Sequence, residues 1–334
     1  MHNKPKISVL IPCHNIEEKP YFSLKSVLKN RYENMEILLL NDYSTDNTLK
    51  ILENYAKEDK RIKVYDLKDY YEHVGLGFNS HFLAEKSTGD YFIFVDDDDK
   101  ISSKMIEKFV ENMDQDYDVL ACGYKISMQV SKSRYCRTFT FPLFRRFNYN
   151  NPIEFCIFGD IYRWAKMIKR SYYFDLVEKY GLKFDGSIYE DVRYTWMILL
   201  SASKFKFLNK KLLTYQLRKN SINTSVKDIY KKIDTLFDSY DYAIDQIKRL
   251  NLLDSSEKFS LLKSTFLIWP LSLLYWSRFL QGISKKEYKQ KVHERIQRFI
   301  DRNDIKLSNK YLKPLSKFFY KHALKIFNLK EKNN

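Results

Sequence analysis

A chain of 334 residues with 44% hydrophobic and 30% charged positions has enough material for a core of its own, in one large or two ordinary domains. Only 8 Gly and 7 Pro exclude collagen-like repetition and wholesale disorder. The four cysteines, Cys13, Cys122, Cys136 and Cys156, form no CxxC pair, which suits a reducing compartment and excludes a cysteine-based zinc site. The net charge of +16 is unevenly distributed. Residues 1–199 hold 29 Lys and Arg against 30 Asp and Glu, and residues 200–334 hold 29 against 12. The whole excess therefore lies in the last 135 residues.

The N-terminus leads into only five apolar-rich positions before Pro12, too few for a secretory leader, so the expected location is the cytoplasm. Ile7 to Ile11 reads as a strand, and Phe22, Leu24, Val27 and Leu28 give Tyr21 to Asn30 one helical face. The alternation continues with strands at Met35–Leu40, Ile62–Leu67 and Tyr91–Val95, and helices at Thr48–Ala56 and Leu76–Glu85. Apolar strands separated by helices predict an open α/β architecture, a mostly parallel sheet covered on both faces. Such sheets bind ligands beyond the carboxyl ends of their strands. Polar residues collect there: Pro12-Cys13-His14-Asn15, Asn41 to Asp46, and Asp96-Asp97-Asp98-Asp99. The middle loop reads equally as a turn with a helix cap.

Beyond residue 100 the pattern predicts a helix at Lys104–Met113, a strand at Val119–Ile126, and helices near Ile161–Lys169 and Val192–Ser201. From about residue 225 it is helical throughout, so the expected division is a catalytic domain over 1–222 and a basic helical module over 223–334. Ser284-Lys285-Lys286-Glu287 reads as a capping box, with Tyr288, Val292, Ile296 and Phe299 facing inward. Phe266 to Leu280 is broken by Pro270 and Arg278 and is too short to span a bilayer. The apolar stripe Tyr311 to Phe327 runs beside Lys313, Lys317, Lys321 and Lys325. It suits either an anionic membrane surface, engaged over 284–327, or a helix packed on the core.

Four adjacent carboxylates at a strand end repel one another unless a cation or hydrogen-bond donors compensate them. Mg²⁺ or Mn²⁺ is the natural partner, because it takes one or two carboxylates and completes its shell with phosphate oxygens and water. An exposed acidic turn is the plainer alternative.

Five ordered motifs together resemble a family 2 glycosyltransferase with the GT-A fold. Val9 to Asn15 resembles the opening strand and loop, Asn41 to Thr48 the base-binding loop, and Gly89 to Asp99 the strand entering a DxD motif. Tyr189-Glu190-Asp191 resembles the acceptor-side Glu-Asp motif, and Tyr215 to Arg218 with Ser221 the stretch that follows it. The resemblance implies a nucleotide-diphospho-sugar donor, expected to be a UDP-sugar, and inverting transfer to a hydroxyl of a cell-surface glycan or its lipid- or protein-linked precursor. It implies that Pro12, His14 and Asn15 line the nucleotide pocket and that Asp42 meets the base. Asp96 is then expected at the ribose and metal, Asp98 on the metal, and Arg218 on the diphosphate. Asp191 is implied as the base, with Glu190 orienting it; the plainer reading of this pair is a helix N-terminus.

Two departures stand out. His14 replaces the usual Tyr, and in Gly75 to His81 only Asn79 survives of the family's Arg-Asn-x-Gly pattern, with Phe78 and His81 at the Arg and Gly positions. Two rival readings remain. One is a nucleic-acid binder using the basic C-terminal residues, which leaves the acidic run unexplained and is not expected. The other is a non-catalytic partner subunit that binds sugar nucleotides.

Overall fold

The structure, a computed structural model, describes residues 4–19, 22–131, 134–139, 151–158, 162–182, 184, 189–217, 228–253, 256–267 and 284–305. Its strands are β1 (Ile7–Cys13), β2 (Met35–Asn41), β3 (Ile62–Asp66), β4 (Tyr91–Phe94), β5 (Lys100–Ile101), β6 (Val119–Ser131), β7 (Arg134–Phe139), β8 (Lys166–Lys169) and β9 (Phe205–Leu217). They form one sheet in the order β3-β2-β1-β4-β8-β6-β9-β5, with β7 against β6. The first four are parallel, as the sequence predicts, and β8 pairs antiparallel with both β4 and β6.

Alternation along each central strand divides the core in two. Leu10, Leu38, Leu40, Phe92 and Phe94 face one cluster, while Val9, Ile11, Ile37, Leu39, Ile93 and Val95 face the other. A strand buried on both faces must be apolar at nearly every position, which is why β1, β2 and β4 read so clearly. The second cluster is closed by α1 (Leu24–Val27), α2 (Thr48–Glu58) and α4 (Met105–Glu111), through Leu24, Leu52 and Phe109. The first is closed by α3 (Leu76–Lys86), α5 (Pro152–Phe158), α6 (Arg170–Tyr180) and α7 (Glu190–Leu200).

Helices α8 (Ile229–Arg249), α9 (Ser256–Thr265) and α10 (Lys285–Arg302) extend the same cluster. On α8 the buried positions Ile233, Leu236, Phe237, Tyr240, Ala243, Ile244 and Ile247 recur every three or four residues and bring it against α7 and α10. Ser284 caps α10 as expected, its Oγ accepting the Glu287 N–H at 3.3 Å, and Tyr288, Val292, Ile296 and Phe299 are buried. Among the described residues no helix is long and apolar enough to cross a membrane. The stripe from Tyr311 to Phe327 lies outside the described residues.

Two expected helices differ. Of the helix expected over Tyr21–Asn30, the described residues show the four-residue α1, and of the helix expected near Ile161–Lys169 they show a bend over 163–165 followed by β8. That bend carries Arg163, between Tyr162 and Trp164, into the site.

Candidate functional site

The loops after β1 and β2 are stitched together. His14 Nδ1 donates to the Asp42 carbonyl at 2.6 Å and its Nε2 accepts from Asn15 Nδ2 at 3.1 Å, which fixes the ring's orientation and places its proton on Nδ1. Asn15, at φ 47°, donates its N–H to Ser44 Oγ and accepts the Thr45 N–H. His14 is thus an organised loop residue with an exposed ring. Pro12 lies wholly within buried β1. Asp46 accepts the Thr48 N–H at 3.0 Å, an Asx turn leading into α2, whose N-cap Asn47 makes no side-chain cap bond.

Asp42 is buried, and its Oδ1 lies 2.8 Å from His73 Nδ1. Tyr43, at φ 49°, donates its hydroxyl to the Tyr71 carbonyl and meets His73 edge-on. The β3–α3 loop therefore closes over the loop that the sequence assigns to the base, with Tyr70, Tyr71 and Val74 exposed on it. No motif pointed to His73.

The four consecutive aspartates have two fates. Asp97 accepts the His14 N–H at 3.0 Å and pairs with Lys19 at 2.5 Å, and Asp99 accepts the Gln216 N–H at 2.9 Å. Both are buried, while Asp96 and Asp98 remain partly exposed. Alternation thus turns two carboxylates into struts and leaves two at the opening. Burial pushes the Asp99 carboxyl well above its ordinary range, and the Asp98 and Asp96 charges add to the effect. Its Oδ2 has no hydrogen-bond partner among the described residues. Gln216 Nε2 also donates to the Asp98 carbonyl at 2.6 Å, so the end of β9 holds the run from the far side. Arg218 and Ser221 lie outside the described residues.

Glu190 and Asp191 open α7 after Tyr189, which holds φ 71°. Glu190 is buried, and burial pushes its carboxyl up to about 7 against the opposing pull of Arg163. Asp191 is also raised, first by burial and then against Arg163, but it is partly exposed and its Oδ1 accepts the Val192 N–H at 2.9 Å. Arg163 joins the two halves of the site, with one terminal nitrogen 2.6 Å from Asp96 Oδ1 and the other 3.0 Å from Glu190 Oε1. Sequence reading missed it; the available signal was one cation between two aromatics, Tyr162 and Trp164.

Gly77 explains how α3 and α7 approach one another. A Cβ there would sit 2.1 Å from Glu190 Cγ, so only glycine leaves room for that side chain. Asn79, expected among the donor-binding residues, is fully buried, with neither side-chain polar atom partnered among the described residues. Phe78 packs edge-on against Tyr71. His81 stacks on Phe184 at 4.2 Å, and burial lowers its pKa to about 4. The altered α3 motif thus trades polar contacts for aromatic packing.

Among the described residues no three His, Cys, Asp or Glu side chains converge into a protein-only metal site. The arrangement suits a cation held by one or two carboxylates and completed by substrate phosphate and water. Asp96 and Asp98 meet that requirement.

The sequence model for glycosyl transferase family 2 matches residues 8–175, half of the chain and all of the strand-end loops just described. The chain belongs to that family. It is 26% identical over 241 residues to the cholesterol galactosyltransferase of Borreliella burgdorferi, a match spanning 69% of this chain and 65% of that relative. It is 23% identical over 316 residues to the processive diacylglycerol beta-glycosyltransferase of Mycoplasma pneumoniae, spanning 90% of this chain and 89% of that one. The structure of Staphylococcus aureus TarS residues 1–349 in complex with UDP-GlcNAc superposes with a TM-score of 0.67 at 19% identity, covering 96% of this chain and 89% of that one. That likeness establishes the GT-A fold and includes the helical C-terminal part.

Proposed function

We propose that the protein transfers a sugar from a nucleotide-diphospho-sugar to an acceptor hydroxyl, with inversion. The observation that carries this reading is the convergence of Asp96 and Asp98 with Glu190 and Asp191 at the carboxyl end of the parallel strands, joined through Arg163. Asp191 is the base: of the pair it is the more exposed, whereas Glu190 is committed to Arg163. Asp191 takes the acceptor proton as the hydroxyl oxygen bonds to the anomeric carbon, and the bond to the diphosphate breaks on the opposite side. Asp98 with Asp96 would hold Mn²⁺ or Mg²⁺, which would supply charge compensation to the leaving diphosphate. His14, Asn15 and Asp42 border the nucleotide.

A UDP-sugar donor is supported by the UDP-GlcNAc in the similar TarS structure. A lipid-linked acceptor is supported by the names of the two relatives, which act on cholesterol and diacylglycerol. The basic C-terminal residues would hold such an enzyme against an anionic membrane surface, on the inner face of the cell membrane.

Nucleoside diphosphate release should be measured with UDP-, GDP- and CDP-sugars in the presence of Mn²⁺. UDP-sugars should be turned over, and Asp191→Asn should lose about 10²–10⁴-fold in turnover while keeping donor affinity. Near-normal turnover in that variant would place the base elsewhere.

A further inference from the structure

Arg163 is held by the segment around it. Tyr162 and Trp164 stack at 4.6 Å with their planes 10° apart, and Trp164 stacks on Tyr215 of β9 at 5.5 Å and 14°. Arg163 stands between them in the chain, and its guanidinium reaches Asp96 and Glu190 across the cleft. Ala165, at φ 58°, then bends the chain into β8. Lys166, also buried, anchors the bend from below by donating to the Tyr162 and Trp164 carbonyls.

The guanidinium that results is buried and forked between two elements. Asp96 follows β4 on the donor side, and Glu190 begins α7 on the acceptor side. Its Nε has no hydrogen-bond partner among the described residues, so its recognition rests on the two terminal nitrogens. Only a planar fork reaches two carboxylates at once with fixed geometry; an ammonium is a single point charge on a flexible stem.

We infer that Arg163 is a positioning residue for the transfer, setting the placement of the Glu190-Asp191 pair relative to Asp96 and hence to the donor. The inference rests on the glycosyl-transfer reading above. Each carboxylate alone would be a buried or half-buried charge free to turn. Tied to one guanidinium, the donor end and the base end of the site become one rigid unit, and the acceptor oxygen meets the anomeric carbon at a set approach.

The test uses the full chain as Arg163→Lys and Arg163→Gln. Turnover is measured at saturating UDP-sugar, UDP affinity with Mn²⁺ by calorimetry, and folding by thermal melting. Because the fork is lost in both, turnover should fall by about 10²-fold, with UDP affinity changed by less than about threefold. Arg163→Lys should melt close to the parent, since it keeps the buried positive charge; it decides the matter if Arg163→Gln does not fold. Wild-type turnover in a folded Arg163→Lys protein would overturn the inference, as would a loss confined to UDP affinity or donor KM. A parent protein that neither binds UDP nor releases it from any donor would instead refute the transfer reading, and this inference with it.

Discussion

Glu190 shows how one side chain can serve both fold and site at a measurable cost. Burial raises its carboxyl from the ordinary 4.5 to about 7, with Arg163 working in the opposite direction. A carboxyl raised in the folded state contributes stability that is fully present below its unfolded pKa and lost as pH rises through the folded one. Glu190→Gln cannot ionise, so its melting temperature should gain on the parent's as pH rises from about 5 to about 8. A constant difference across that window would contradict the assigned environment. The same scale shows what sequence can disclose of a site. Asp96, Asp98, Glu190 and Asp191 were legible because acidic residues beside apolar strands and helices form recognisable motifs. Arg163, one of 58 Lys and Arg, was not, because its distinction is burial between two remote carboxylates. His73 and Gly77 were hidden for the same reason: their roles are made by residues 31 and 113 positions away in the chain.

Elements differ in how much of their identity is local. Strands β1, β2 and β4 are buried on both faces and announce themselves as apolar runs. Thirteen-residue β9 went unread because Lys206, Lys210 and Lys211 interrupt it, and its pairing with β6 supplies what its composition lacks. At the amino ends of the parallel strands, opposite the site, Glu36 of β2 binds three segments. It accepts from Ser8 Oγ at 2.7 Å, the Thr88 N–H at 2.6 Å and Lys63 Nζ at 2.9 Å. Burial alone would raise its pKa, but these donors outweigh it and hold the carboxyl at about 2. A depressed carboxyl contributes stability present above its unfolded pKa and lost as pH falls through the folded one. Glu36→Gln should therefore lower stability by about 1–3 kcal/mol near neutral pH. The deficit should shrink between about pH 4.5 and 2, and chemical denaturation across that range checks it. A deficit that stays constant would show that shape, not charge, is what Glu36 supplies.

Across the whole molecule, part of the C-terminal basic charge is paired between helices. Arg295 pairs with Asp234 and Asp238, and Arg302 with Asp241 and Asp245, so part of the basic face of α10 is spent on α8. The exposed Arg302–Asp245 pair contributes little, and the buried Phe237, Tyr240 and Phe299 do more to hold the helices together. The lysines at 313, 317, 321 and 325 lie outside the described residues, and the sequence spaces them along an apolar stripe. If each contributes about 1 kcal/mol near an anionic surface, the full chain should sediment with anionic vesicles at low salt and be released at high salt. Protein that stays in the supernatant at low salt would refute the membrane role and leave these helices as packing alone.

On the proposed transfer reading, Asp98 links the protein to a nucleotide-sugar through a divalent cation. Calorimetric titration of UDP into the parent and into Asp98→Ala, each with Mn²⁺ and with chelator, tests that link. The parent should bind only when Mn²⁺ is present, and Asp98→Ala should lose that Mn²⁺-dependent binding. Equal affinity in chelator, or unchanged Mn²⁺-dependent affinity in the variant, would contradict it.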